Sequence, residues 1–470
     1  MDRIVAVDFG STFTKAALFD CGAGRTVATA HAPSTASSDV TLGLQRVLRD
    51  LARQSGTSLA RIPALACSSA AGGLRVAVIG LVPALSLEAA RRASLGAGAR
   101  IVGAYGYKLT ARMLSELAAA RPDIVVLAGG TDGGDEDTIL HNAAALARSH
   151  LVAPIVVAGN ASVAKACVDR LRESGKDALC TSNLLPEVGR IDPGPVHDAM
   201  RELFIRRITQ AKGIDRAREQ LDLASDIVPT PSAVLDAARL IAEGTATSPG
   251  LGDTVIVDVG GATTDVYSVA SGAPSRPGVV VRGLPELKLK RTVEGDLGVR
   301  INAPAVLDRF GSEHLVGLAR TARAGTPLAV EALGAYATRI ADRTEHLPES
   351  VEERAYDDAL GRAAVRMAVE RHAGRLREIY TPSGPTLVLE GKDLTDVAAV
   401  VGIGGVLAHG GNPRFVLEGA LDAGAQAYSV LPRHPSLYLD RRYVLFGVGL
   451  LSTIAPDAAL AIARESLGAV

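Results

Sequence analysis

Apolar residues gather along this chain in short, β-branched runs, and each run ends at glycine. IVAVDFG near the N-terminus and VIVDVGG about half a chain later each read as a buried strand running into a tight turn. Between them RVAVIGLV, ARIVGAY, DIVVLAGG and APIVVAGN are further strand candidates. They alternate with alanine-rich helical stretches such as SLEAARRASLGAG and EDTILHNAAALARSH, which predicts a parallel sheet over about residues 73–190. The first of these strands is equally compatible with the preceding lobe. After about residue 300 the pattern is mainly helical. In VEERAYDDALGRAAVRMAVERHAGRL, the residues Ala355, Ala359, Ala363, Val365, Met367 and Val369 suit a buried helical face. A last strand-to-glycine pattern, VVGIGG, closes a strand at Val400 and Val401 and opens a helix with Gly402, Gly404 and Gly405.

The two glycine turns have a chemical use. Gly10, Gly260 and Gly261 let backbone N–H groups approach phosphate oxygens, and Ser11, Thr12, Thr14, Thr263 and Thr264 supply hydroxyl donors. Asp8 and Asp258 then face a Mg²⁺ ion, through its waters because magnesium sheds its hydration shell reluctantly. A single strand ending in Asp-x-Gly is a common turn. Two in equivalent settings, with a third glycine corner downstream for a flat adenine or a ribose, point to a nucleotide site.

Phosphate loop, second phosphate loop and adenosine corner, in that order, resemble the actin, heat-shock-chaperone and sugar-kinase ATPase superfamily across nearly the whole chain. The resemblance implies an α/β fold of the actin-like ATPase type. Two ribonuclease-H-like lobes would flank a nucleotide cleft, with an α/β domain inserted and with ATP and Mg²⁺ as cofactors. On that scheme residues 1–72 begin the N-terminal lobe, 73–190 form the insertion, 191–250 are a helical connection completing the lobe, and 251–470 form the C-terminal lobe, with a helical subdomain at about 300–385 and further helices after 413. Together DFGSTFTK, AGGTDGG, AGN, DVGGATTDV and KRTVEGDLG resemble the MutL/GlmL family. These are accessory proteins encoded beside the adenosylcobalamin-dependent glutamate mutase, unrelated to the mismatch-repair protein of similar name. Membership implies an ATP-dependent reactivating chaperone with mutase subunits as partners.

Carried over residue by residue, Asp8 and Asp258 hold Mg²⁺ and its nucleophilic water. Lys15, seven residues after Asp8, reaches the β- and γ-phosphates, unless it is a solvated lysine on an outward strand face. TPSAVLDAARLIAEG resembles the connecting helix that often begins with a catalytic Glu or Gln, and here Thr230 stands in that place. Threonine is no general base at neutral pH, so turnover is slow or another acid assists. Asp265, Glu294 and Asp296 are the candidates, with Glu294 first. The alternative for LKLKRTVEGDLGVR, with Lys288, Lys290, Arg291 and Arg300, is an exposed charged connection. Arg366, Arg371 and Arg375 either contact nucleotide or point outward.

In the insertion, Gly129, Gly130, Gly133 and Gly134 surround Thr131 and Asp132 at the end of a strand, where open parallel sheets bind ligands. Asp135, Glu136 and Asp137 make that loop acidic, favouring magnesium, a polar ligand or a protein over phosphate, and a plain turn before an acid-rich helix start is the alternative. A second functional reading is a small-molecule kinase or ATP-coupled hydrolase, with Asp132 or Asp258 as base. A third is a scaffold without turnover.

Composition narrows the classes. The chain has 470 residues, more than one core usually supports. Lys and Arg number 50 against 51 Asp and Glu, a net charge of −1 that gives no bulk attraction to nucleic acid or anionic membrane. Cys21, Cys67, Cys167 and Cys180 form no C-x-x-C pair, so reduced, buried thiols are expected. His141 and His150 lack the spacing of a helical metal site. A strand follows the first methionine directly and no run of eighteen apolar residues occurs, so a cytoplasmic location is expected; homodimerisation stays open.

Overall fold

A computed structural model describes residues 2–10, 13–35, 39–69, 74–208, 213–382, 384–424 and 428–470. Ser11 and Thr12 of the first loop lie outside the described residues. The chain forms two compact units, one of Met1–Asp20, Val27–Val234 and Gly283–Pro285, the other of Cys21–Thr26, Leu235–Arg282 and Glu286–Val470.

In the first unit β1 (Arg3–Phe9), β2 (Phe13–Asp20), β3 (Arg25–Pro33) and β4 (Ala64–Ser68) precede a separate sheet of β5 (Leu74–Gly80), β6 (Ala99–Gly106), β7 (Ile124–Leu127), β8 (Ile155–Val157) and β9 (Ala178–Cys180). The short β10 (Val228–Pro229) then returns to the first sheet, whose order is β10-β4-β1-β2-β3. β2 runs antiparallel to β1, while β4 and β10 are parallel to it and to each other. The helix Val40–Ser55 packs Leu44, Val47 and Leu51 in one core with Val5, Val7, Ala16 and Leu18. Asp39 caps its start by accepting from the Thr41 amide at 2.9 Å, and Gly56 ends it in the left-handed region.

The second sheet of this unit, β6-β5-β7-β8-β9, is parallel throughout. Alanines of the helix Glu88–Gly96 cover one face, and the helices Asp137–Ala147 and Ala161–Glu173 cover the other. Burial on both faces explains why the central strands β7 and β8 are unbroken apolar runs rather than alternating ones.

The second unit repeats the first sheet. Its strands are β11 (Thr254–Val259), β12 (Thr264–Val269), β13 (Val280–Arg282), β14 (Leu289–Glu294), β15 (Arg375–Thr381), β16 (Gly384–Glu390), β17 (Ala399–Ile403), β18 (Ser436–Asp440) and β19 (Leu467–Ala469). The main sheet has the order β14-β12-β11-β17-β18-β19, with β12 antiparallel to β11 and β14, and β17 parallel to β11 and β18. An antiparallel pair followed outward by parallel strands thus occurs in both units, and each is ribonuclease-H-like in strand order.

Several local expectations change. The charged segment Leu289–Glu294 is strand β14, so the alternative of an exposed connection does not hold for it. Residues after 413 add β18 and β19 to the sheet as well as helices. Strand β17 runs on to Ile403, so Gly402 lies inside the strand. The helix Val351–His372 is buried on almost every side, including Asp357 and Asp358, because helices pack around it rather than against one stripe. Among the cysteines, all free, Cys67 and Cys167 are buried but Cys180 is exposed. Among the described residues, no helix is long and apolar enough to cross a membrane.

Candidate functional site

The first loop is a hairpin that one glycine allows to close. Across the β1–β2 ladder Asp8 faces Lys15 and Phe9 faces Thr14. The Gly10 amide donates to the Phe13 carbonyl at 3.1 Å, and a Cβ on Gly10 would stand 2.4 Å from that oxygen. Only glycine closes the turn so tightly.

Asp8 is 2 % exposed and receives three donors from its own unit. Lys15 Nζ donates to Oδ2 at 3.1 Å, Thr230 Oγ1 donates to Oδ1 at 2.7 Å, and the Cys67 thiol reaches the same oxygen at 3.6 Å. Burial, with the Asp8 charge beside it, pushes the Cys67 thiol well above its ordinary range. The thiol therefore stays protonated and donates. Lys15, 19 % exposed, is neither a solvated lysine nor a buried one.

Thr14 does not line the turn. Successive side chains alternate faces of a strand, so with Lys15 beside Asp8 its neighbour points the other way. Thr14 is buried under the helix Val40–Ser55, where a Cβ on Gly43 would meet its Oγ1 at 2.8 Å.

The second loop has the same register, with Asp258 opposite Asp265 and Val259 opposite Thr264, and the Gly260 amide donating to the Thr263 carbonyl at 2.9 Å. Thr264, in the place of Thr14, is likewise turned inward and donates its hydroxyl to the Leu297 carbonyl at 2.7 Å. Thr263 donates to Asp265 Oδ2 at 3.1 Å. The motif predicted hydroxyl contacts to phosphate from Thr14 and Thr264; the pleat takes both away.

What the second loop offers instead is backbone. The Gly260 carbonyl accepts from the Val299 amide at 3.1 Å, the Gly261 carbonyl from the Arg300 and Ile301 amides at 2.9 Å each, and the Ala262 carbonyl from Asn302 Nδ2 at 2.7 Å. In a trans peptide the N–H points opposite to the preceding C=O. Three consecutive carbonyls held on one side therefore aim the amides of Gly261, Ala262 and Thr263 to the other, a set of donors chemically suited to an anion. Gly298 lets the segment approach, since a Cβ there would stand 2.2 Å from the Ala262 carbonyl carbon. Nothing in the sequence marks Asn302 for this work.

The third glycine motif bears on the same loop. Gly404 has φ +103°, and a Cβ on it would stand 2.3 Å from the Val259 carbonyl oxygen. Gly405 has nothing within 4 Å. Gly404→Ala is therefore expected to lower unfolding free energy by about 2–4 kcal/mol, and Gly405→Ala to stay within about 0.5 kcal/mol, in urea titrations. Equal effects would contradict this. The helix that Gly405 opens ends at Ala408, too short to give an anion site at its N-terminus.

Of the three candidate acids, Asp265 is bound by Arg291 through Nε at 2.9 Å and Nη2 at 2.5 Å. Asp296 is shared by Arg371 at 2.8 Å and Arg309 at 2.7 Å, and the Arg371 hydrogen bonds hold its carboxyl below the usual range. Glu294 also meets Arg371, at 2.7 Å, but it ends β14 opposite Thr264, beside the second loop. Arg366 is engaged by Glu370 and the Leu421 carbonyl, and Arg375 points outward on β15.

In the insertion, two asparagines brace AGGTDGG. Asn160 accepts from the Gly133 amide at 3.1 Å and donates to the Gly134 carbonyl at 3.2 Å, and Asn183 donates to Gly130 and to Asp132 at 3.1 and 2.8 Å. Asp132 also accepts from the Ala161 amide, so it serves the loop's own shape. Among the described residues, no group of three or more His, Cys, Asp or Glu could hold a metal ion. Asp8, already engaged by Lys15, Thr230 and Cys67, fits a hydrated ion better than direct coordination.

The family described as MutL protein matches residues 4–467. Over 471 residues the chain is 41% identical to "Protein MutL" of Clostridium tetanomorphum, covering 99% of each. Among solved structures it is similar to the activator of the 2-hydroxyisocaproyl-CoA dehydratase from Clostridium difficile with bound ADPNP, at 10% identity, covering 99% of this chain and 95% of that one, with a TM-score of 0.33. Diol dehydratase-reactivating factor in nucleotide-free form gives 12% identity, 97% and 100% coverage and a TM-score of 0.36.

Proposed function

The chain belongs to the MutL family, and we propose that it is an ATP-dependent chaperone that reactivates an adenosylcobalamin-dependent mutase of the glutamate mutase type. The nucleotide half of this reading rests on one observation: the Asp-x-Gly hairpin occurs twice, with the aspartate and glycine in the same register. Mg²⁺ would neutralise phosphate charge, with Asp8 and Asp258 facing it. Gly10, Lys15, Gly260, Gly261 and Thr263 would line the phosphates, and Gly402, Gly404 and Gly405 the adenosine.

The residues suit slow turnover. Thr230 orients Asp8 by its hydroxyl and takes no proton from water at neutral pH. Glu294 is the acid best placed to assist, and it is ion-paired with Arg371. A factor that consumes ATP per repair event, not per catalytic event, needs no faster cycle.

The test is release of damaged cobalamin from inactivated mutase, followed with and without MgATP. Release that requires both this protein and MgATP is expected. Unchanged release sinks the chaperone reading, and ATP hydrolysis stimulated by a metabolite but by no mutase would move the protein to the kinases.

A further inference from the structure

The helix Val351–His372 carries two adjacent aspartates in opposite circumstances. Asp357 is fully engaged, with Arg300 donating to it at 2.9 and 2.8 Å and the Tyr336 hydroxyl at 2.8 Å. The side chain of Asp358 is 1% exposed, yet its Oδ2 has no hydrogen-bond partner. The cation beside it, Arg323 Nη2, stands 3.8 Å away, beyond hydrogen-bonding reach. Arg323 Nε is itself a buried polar atom without a partner. An unused acceptor and an unused donor thus lie side by side. Folded proteins seldom leave such atoms unsatisfied unless a ligand or water completes them.

The Asp358 carboxylate and the Arg323 guanidinium both lie against the Gly410–Gly411 turn that follows the third glycine motif. A Cβ on Gly411 would stand 2.4 Å from Arg323 Nη2 and 3.8 Å from Asp358 Oδ2, and one on Gly410 would stand 3.8 Å from Asp358 Oδ1. The Asn412 amide bonds to Asp358, which fixes the carboxylate behind the turn. Burial raises the Asp358 carboxyl to about 6, consistent with an acid that lacks a close counter-charge. Arg323, 34% exposed, is the partner of the two that reaches solvent.

We propose that Asp358 and Arg323 read the nucleoside: Asp358 Oδ2 accepts from a ligand donor while Arg323 donates to an adjacent acceptor. Neighbouring donor and acceptor atoms occur on a ribose hydroxyl and on the amine edge of adenine. The inference rests on the nucleotide-binding reading above and adds the residues that choose which nucleotide binds. Phosphate affinity belongs to other loops and is untouched by the pair.

The experiment titrates ATP, 2′-deoxy-ATP, inosine triphosphate and tripolyphosphate into the full-length protein with Mg²⁺, for the parent and for Asp358→Asn. Asp358→Asn is expected to weaken ATP about tenfold or more and tripolyphosphate by less than about twofold. Lost discrimination against 2′-deoxy-ATP assigns the pair to ribose, and lost discrimination against inosine triphosphate assigns it to adenine. Equal weakening of ATP and tripolyphosphate, or no change in either, overturns the proposal and leaves a buried water as the partner. A parent that binds neither ligand refutes the nucleotide reading itself. Should Asp358→Asn fail to fold, Arg323→Lys, at a half-exposed position, carries the same readout.

Discussion

Asp8→Asn is expected to reduce MgATP hydrolysis by at least about a hundredfold, and Asp258→Asn by as much, since each removes a carboxylate that would hold the Mg²⁺ neutralising the phosphate charge. Their effects on stability should differ in size. Asparagine at 8 keeps the acceptor for Thr230 and Cys67 but leaves the Lys15 ammonium, 19% exposed, without its counter-charge. A loss of about 1 kcal/mol follows. Asp258 lies directly opposite Asp265 on the β11–β12 ladder, where like charges disfavour one another. Asp258→Asn relieves that repulsion and should therefore cost less stability than Asp8→Asn. Loss of activity with no loss of fold would mark Asp258 as kept for function. Either variant hydrolysing ATP at the parent rate would remove that aspartate from the site.

Arg291→Met should be the most damaging of the surface-remote changes, costing about 3–5 kcal/mol. Arg291 is buried, donates twice to Asp265 and lies over the Tyr267 ring at 5.9 Å. Its removal strands Asp265 in the interior beside the second loop, where Asp265 also receives the Thr263 hydroxyl. Arg291→Met combined with Asp265→Leu should recover most of the loss, because no lone buried charge remains. Denaturant unfolding of the single and double variants measures both. A single-variant change under about 1 kcal/mol would show that the pair is solvated after all.

The fold was readable to a considerable depth because its signals are local. Apolar runs and glycine turns marked both Asp-x-Gly hairpins, and their order supported the resemblance that family membership bears out. The inward turn of Thr14 and Thr264 was also within reach: Lys15 and Asp265 occupy the next positions, and adjacent residues of a strand cannot share a face. Other features had no signal. Of the charged run LKLKRTVE, for which an exposed connection is the alternative reading, Leu289–Glu294 is β14, because pairing with β12 places Arg291 against Asp265. Cys67 looked like an ordinary buried thiol and proves to be a donor to Asp8.

What the sequence by itself determined is the set of turns, since a residue's backbone range and the alternation of strand side chains are properties of a few neighbouring residues. Asp8, Gly10, Asp258 and Gly260 are fixed at that level. Tertiary structure decided what those turns present: the Thr230 hydroxyl comes to Asp8 from 222 residues away, and the amides of Gly261, Ala262 and Thr263 take their direction from the segment Val299–Asn302. Such bonds form only when the chain has closed on itself, so short-range pattern carries no trace of them.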